Sequence, residues 1–211
     1  MIRSRLASPF VLLAGLVGAT AGAAPIQVQG PVPEDSLAEA QLRAINHRFV
    51  TARAQPSSAD LEGFAEPDLQ FTAQDGEWLD RNGFLAHLAR QPVVDGISYE
   101  QVEVRLFGPV ALVHGVCRSF RGETVATQRY TDVYHWYGTS WRLVSTQSTP
   151  LRPGVSVARR SVSGAAPRPW AGTDPVGNDD EVLTALNESY VQAFRRADAS
   201  WYEAHLAPDY T

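Results

Sequence analysis

The sequence predicts an α+β fold in which helices pack against one face of a curved antiparallel sheet. Apolar residues recur at helical spacing through residues 36–54 and 81–90, and three or four longer segments with strand-like alternation follow between residues 97 and 149. A chain that places its helices first and its long strands together afterwards is typical of folds with the helices segregated on one side of the sheet.

Composition limits the classes of function. The chain has 211 residues, of which 44% are hydrophobic, so one sizeable domain or two small ones can bury a core. The formal net charge of −5 argues against a nucleic-acid partner, because no basic stripe is present to neutralise phosphates. The single cysteine, Cys117, lies in the strand-like segment ALVHGVCRSF, which indicates a buried apolar residue and not a catalytic thiol.

Residues 1–23 have the pattern of a cleaved signal peptide. MIRSR is basic, PFVLLAGLVGATAGA is mostly apolar, and Ala-Gly-Ala at 21–23 fits a small-x-small cleavage site. The apolar run is short for crossing a bilayer, which takes about 20 residues. We therefore expect export to the periplasm or outside the cell, with cleavage after Ala23 and no membrane span remaining afterwards.

Three helices and a hairpin are predicted in the first part of the mature chain. The first helix starts at Ser36, which has the spacing of a capping box with Glu39. A second, short helix starts at Ser57. Asp80 can cap a third helix over RNGFLAHLAR, and the Asp-Gly pair within EPDLQFTAQDGEWLD predicts a β-hairpin between the second and third helices.

Long strands complete this domain, which we place at residues 34–151. Their segments are ISYEQVEVRLF, VALVHGVCRSF, TVATQRYTDVYHWY and SWRLVSTQST. Glycine-containing turns at residues 108–109, 121–123 and 138–139 separate them.

After this domain the character of the chain changes twice. Residues 152–178 are rich in Pro, Gly, Ser and Ala and have the composition of a linker. Residues 179–211 are helical in pattern and repeat the first helical region at a constant offset, which predicts the start of a second copy of the domain. We expect either a truncated duplicate or a fragment of a longer protein. The matched pairs are Leu42/Leu183, Ala44/Ala185, Asn46/Asn187, Val50/Val191, Ala52/Ala193, Glu62/Glu203, Pro67/Pro208 and Asp68/Asp209.

Residues 36–150 resemble the nuclear transport factor 2-like superfamily, in its SnoaL-like bacterial branch. The resemblance is carried by INHRFV, FAEPDLQFTAQDGEWLDRNGF, VEVRLFGPVALVHG and, above all, RYTDVYHWYGTSWRLVSTQST. It implies a cone-shaped roll, in which a curved antiparallel sheet wraps around a long N-terminal helix and two shorter helices and leaves a pocket at its open end. It also implies that polar residues on the inner face of the sheet line that pocket.

Strand alternation then selects candidate site residues. Tyr130, Asp132 and Tyr134 share one face of their strand. We interpret Asp132 as the candidate catalytic acid or base. The candidate ligand-binding residues around it are His114, Arg118, Tyr130, Tyr134 and Gln147. The alternative is that Arg118 and Asp132 form a structural ion pair or face water.

Ketosteroid isomerase, of the same superfamily, offers a chemical comparison, because it combines an oxyanion hole of a Tyr and a protonated Asp with an Asp base. By alignment, the Tyr position is Phe49 here and the base position is Ala73. Only the strand acid matches, at Asp132, so that isomerisation is not expected.

Two functions remain open at this point. The first is an exported domain that binds a small molecule or associates, with a homodimer through the sheet as one form of association. The second is a SnoaL-like isomerase, cyclase or hydrolase that uses Asp132 as general acid or base. The sequence has no phosphate loop and no metal-ligand spacing, so no cofactor and no metal are expected.

Overall fold

The computed structural model describes residues 30–54, 63–152, 154 and 170–207. The chain divides into two compact units, residues 1–152 and 153–211. The predicted signal peptide, the second predicted helix from Ser57 and most of the predicted linker lie outside the described residues. No helix among the residues described has the length and apolar character needed to cross a membrane.

The long helix α1, Asp35–Ala54, fills the inside of the first unit. It buries one stripe of side chains at helical spacing, with Leu42, Phe49 and Val50 all at most 1% exposed. The helix begins one residue earlier than predicted, so Ser36 lies in its first turn instead of capping it. The core that forms against this stripe is the largest single source of stability expected for the unit.

The predicted hairpin and third helix follow. Strand β1, Ala65–Thr72, pairs with the short β2, Trp78–Leu79. Helix α2, Arg81–Arg90, starts at Asp80, whose Oδ1 accepts a hydrogen bond of 2.8 Å from the backbone N–H of Gly83. This cap satisfies one of the otherwise unpaired amides of the first turn, as the sequence predicts.

Four long strands build the rest of a six-stranded sheet. They are β3, Gly96–Phe107; β4, Val110–Arg121; β5, Thr124–Trp136; and β6, Trp141–Pro150. The order across the sheet is β2-β1-β6-β5-β4-β3, and every neighbouring pair is antiparallel except β1 and β6. The sheet is curved and does not close, and α1 packs against β3 and β4, which is the predicted cone.

Three register shifts shape this sheet, and the first lies in β1 between Ala65 and Gln70. In β3 the register shifts between Glu100 and Glu103, and Gln101 between them takes a left-handed conformation with φ of 54°. The Arg43 guanidinium of α1 donates a 3.0 Å hydrogen bond to the carbonyl of Val102 in this bulge. In β6 the register shifts beyond Leu143, and a bulge of this kind moves the residues that follow it to the opposite face of the strand.

The described residues of the second unit form a pair of helices, α3, Asp179–Arg196, and α4, Ala199–His205. Asn178 and Glu181 form a reciprocal capping box at the start of α3. Trp201 of α4 is 6% exposed and stacks on His205, with ring centroids 4.2 Å apart and planes 9° from parallel.

Candidate functional site

Three alternating side chains of β5 point into the first unit. Tyr130, Asp132 and Tyr134 are 1%, 0% and 0% exposed, so the prediction that they share the inner face is confirmed. Burial of a carboxyl group in an aromatic core is costly unless hydrogen bonds compensate it. We therefore define the candidate site by the residues that hydrogen-bond to Asp132.

Both carboxyl oxygens of Asp132 accept hydrogen bonds from neutral donors. The hydroxyl of Thr146 in β6 donates to Oδ1 over 2.6 Å, and the amide Nδ2 of Asn46 in α1 donates to Oδ2 over 3.4 Å. The Tyr130 hydroxyl donates to Oδ1 of Asn46 over 3.0 Å. Since all four groups are at most 1% exposed, they form a buried polar network that joins the helix to two strands.

Glycine at position 115 gives Tyr130 the room to reach Asn46. Gly115 of β4 lies directly opposite Tyr130 in the sheet. A Cβ atom at this position would overlap the Tyr130 hydroxyl and ring, whereas the hydrogen of glycine does not. The phenol thus lies across the strand backbone and extends to the helix.

Tyr134 follows Asp132 by two residues on the inner face of β5. Burial raises the pKa of Tyr134 well above its ordinary value of 10.0, and the nearby charge of Asp132 raises it further. The side chain of Asn46 acts in the opposite direction and lowers that pKa. Tyr134 therefore stays protonated at neutral pH and can donate a hydrogen bond beside the acid.

His114 and Arg118 do not lie beside Asp132. Residues directly opposite each other in an antiparallel pair point to the same face, and Asp132 pairs with Val113. His114 therefore lies on the outer face, where its Nδ1 is 3.2 Å from the Thr131 hydroxyl. Arg118 lies on that same outer face and pairs with Glu100, with Nη2 and Oε1 2.7 Å apart. The alternative of an ion pair between Arg118 and Asp132 is therefore wrong, because the two side chains lie on opposite faces of the sheet.

Gln147 is also on the outer face. The sequence predicts that it shares a face with Trp141 and Leu143, which holds only if β6 is regular. The bulge beyond Leu143 reverses the alternation, so Thr146 lies opposite Asp132 and Gln147 lies opposite Thr131. Thr146 therefore takes the inward position that the sequence assigned to Gln147. The predicted roles of His114, Arg118 and Gln147 in binding a ligand stay predictions, at positions outside the network.

Asn46 is, with Thr146, one of two members of the network that sequence reasoning missed. It is 1% exposed and lies one turn after Leu42 on the apolar stripe of α1. A polar amide within a stripe that otherwise faces the core is a signal of a buried hydrogen-bond partner. That signal was present in INHRFV.

The two positions that the sequence alignment pairs with the tyrosine and the base of ketosteroid isomerase are apolar and buried. Phe49 is 1% exposed and packs edge-on against Phe64, with ring centroids 5.7 Å apart. Ala73 is 3% exposed. Within the described part of the chain, no three His, Cys, Asp or Glu side chains are grouped so that they could hold a metal ion.

No protein-family model and no curated protein matches the sequence. Several solved structures are similar to it. A candidate calcium/calmodulin-dependent kinase II association domain from Exiguobacterium sibiricum is 21% identical, with a TM-score of 0.50 over 59% of this chain and 100% of that one. A nuclear transport factor 2-like protein of unknown function from Pseudomonas putida is 17% identical, with a TM-score of 0.49 over 63% and 100%. A candidate ketosteroid isomerase from Parabacteroides distasonis is 15% identical, with a TM-score of 0.48 over 59% and 98%.

These likenesses concern the fold alone. The first unit has the cone-shaped roll that the resemblance of its sequence implied, and its fold is similar to that of the association domain. The narrower SnoaL-like assignment stays a prediction.

Proposed function

We propose that the first unit is an exported domain that binds a small molecule inside the cone, with Asp132 as the residue that recognises it. The observation that carries the proposal is the buried carboxyl group, whose two oxygens accept hydrogen bonds from Thr146 and Asn46. A well-packed apolar pair would stabilise the core at least as well as a buried acid. The acid therefore fits a role in recognition better than a role in stability.

The two hydrogen bonds suggest how a ligand would be held. The Thr146 bond is short and the Asn46 bond is long, at 2.6 and 3.4 Å. A ligand hydroxyl or amine can displace Asn46 from Oδ2 while Thr146 continues to hold Oδ1. The ligand class that suits this arrangement is a mostly apolar molecule with one hydrogen-bond donor, because aromatic side chains surround the acid.

Entry of a ligand requires movement. Asp132, Asn46 and Thr146 are 0–1% exposed, so Oδ2 becomes accessible only when α1 shifts away from β5. We expect binding to change the hydrogen exchange of α1, which holds Asn46, more than that of β5.

An enzymatic role is the alternative, and the Tyr134 phenol favours it. A tyrosine held neutral beside an acid gives two groups that can act on one substrate oxygen, as an isomerase, cyclase or hydrolase would need. Against it, the position of the isomerase base is Ala73, which is buried and cannot take up a proton.

The test separates the two functions. The protein is purified from its native host, and native mass spectrometry identifies any small molecule that it carries. Binding predicts that the molecule is recovered unchanged after incubation with the protein. Enzymatic action predicts a chemically altered product whose formation stops in Asp132→Asn and slows in Tyr134→Phe.

Association through the sheet is the second part of the proposal. Val125 lies on the outer face of the sheet and is 49% exposed, which supports a homodimer through that face; Phe107, 48% exposed, lies on the same face at the other end of β4. Sedimentation of the wild type and of Val125→Glu tests it, and a dimer that persists in the variant contradicts it.

Export is tested by N-terminal sequencing, which should begin at Ala24 in the exported protein.

A further inference from the structure

Helix α3 carries large apolar side chains on its surface. Leu183, Tyr190, Val191 and Phe194 are 64%, 42%, 44% and 72% exposed. Tyr190 and Val191 follow Leu183 by seven and eight residues, and Phe194 follows them by four and three, which places all four on one side of the helix. A contiguous apolar surface of this kind marks an interface more often than a solvated face. We call these four residues, with Asn187, the α3 face.

The same residues occur in α1, where they are buried. At the constant sequence offset, Leu183 corresponds to Leu42, Asn187 to Asn46 and Val191 to Val50, all identical, while Tyr190 corresponds to Phe49. In α1 these four positions are 0–1% exposed, because the sheet of the first unit covers them. The described residues of the second unit form two helices and no strand.

We propose that the α3 face is the helix side of a second helix-on-sheet interface, and that its partner is a concave antiparallel sheet of the kind formed by β3–β6. Asn187 adds a requirement on the residues of the partner sheet. Asn46 bridges Tyr130 and Asp132 of its sheet, so the partner sheet should carry an acid or a hydroxyl opposite Asn187.

A second α3 helix fits the face less well than a sheet. Five positions spread over Leu183 to Phe194 form a broad stripe, whereas two paired helices bury a narrow seam. In a symmetric helix pair, Asn187 would also be buried without the acid and phenol that satisfy Asn46 in the first unit. A curved sheet supplies both the width and the polar partner.

A graft within the full chain tests the proposal. Residues 41–54 of α1, QLRAINHRFVTARA, are replaced by residues 182–195 of α3, VLTALNESYVQAFR. The matched control is the same graft with the residues derived from Leu183 and Glu188 exchanged, which keeps composition and helix propensity but removes the leucine from the face. Near-UV circular dichroism and urea unfolding report whether the first unit still packs around the grafted helix.

We expect the graft to unfold cooperatively in urea and to keep the near-UV spectrum of the wild type. The control should lose the cooperative transition and that spectrum. If graft and control lose them equally, the α3 face is not complementary to a cone-type sheet and the proposal is overturned. Sedimentation of the full chain supplies the second measurement. If the wild type self-associates and Leu183→Glu abolishes that association, the face is covered by a second α3 and the proposal is again overturned; sedimentation unchanged by Leu183→Glu supports it.

Discussion

Asn46 of helix α1 and Asp132 of strand β5 meet inside the cone, with Nδ2 of the amide 3.4 Å from Oδ2 of the carboxyl group. The two residues are 86 positions apart in the chain, and both are buried. Because the Tyr130 hydroxyl donates to the amide oxygen, the amide is oriented with its N–H toward the acid. This contact joins the long helix to the polar residues on the inner face of the sheet.

Thr146→Val should destabilise the first unit. The substitution keeps the shape of the side chain and removes the 2.6 Å hydrogen bond to Asp132, which leaves one buried oxygen without that donor. The expected loss in the free energy of unfolding is about 1–3 kcal/mol, measured by urea denaturation. Thr149→Val, on the same strand but exposed, is the control and should change stability little. Equal effects of the two variants would contradict the network.

Gly115→Ala should disturb the same network at the Tyr130 hydroxyl. The added Cβ overlaps the Tyr130 hydroxyl, so the ring must move away from Asn46. Overpacking of this kind costs about 1–3 kcal/mol, which thermal or urea unfolding can measure. Gly96→Ala is the matched control, since its Cβ would lie an ordinary 3.8 Å from Phe120. A Gly115→Ala variant as stable as Gly96→Ala would show that Tyr130 does not depend on the space above Gly115.

The free energy of unfolding should fall at mildly acidic pH because of the titration of His135. Burial lowers the pKa of the His135 imidazole from its ordinary 6.5, although the Glu66 carboxylate acts in the opposite direction. The unfolded chain therefore takes up this proton first as the pH falls. The contribution of His135 to stability is present above pH 6.5 and is lost progressively below it. An NMR titration of the His135 ring checks this, and a midpoint at or above 6.5 would refute it.

Arg118→Gln should change stability little. Its partner is Glu100 on the outer face, and the two side chains are 38% and 44% exposed, so water screens the pair. The expected loss is at most about 1 kcal/mol, measured by urea unfolding with Glu100→Gln and the double variant as a cycle. A loss near 3 kcal/mol would instead indicate that Arg118 neutralises a buried acid.

The sequence was sufficient for the architecture because its signals are local. Alternation in four segments, the Asp-Gly turn before Trp78 and the Asp80 cap each depend on residues close together in the chain. The positions of His114 and Arg118 could also have been found. A two-residue turn at Gly122 and Glu123 pairs Arg121 with Thr124, and counting back along the strands places Asp132 opposite Val113 and not His114.

The inward position of Thr146 could not be found in this way. It depends on the bulge beyond Leu143, and no residue in WRLVSTQST marks a bulge as glycine often does. Once one extra residue enters the strand, every later side chain changes face. The prediction of Gln147 as an inward residue failed for this reason.

The central claim is that the Asp132 carboxyl recognises a ligand, and the most direct measurement compares the wild type with Asp132→Asn, both purified from the native host. Native mass spectrometry measures the small molecule that each retains, and thermal melting measures the fold. Asp68→Asn, which changes an exposed acid of β1, is the control. We expect that the wild type and Asp68→Asn carry the same molecule, while Asp132→Asn remains folded and lacks it. A folded Asp132→Asn that retains the molecule as well as the wild type does, or a wild type that carries none, would contradict the account.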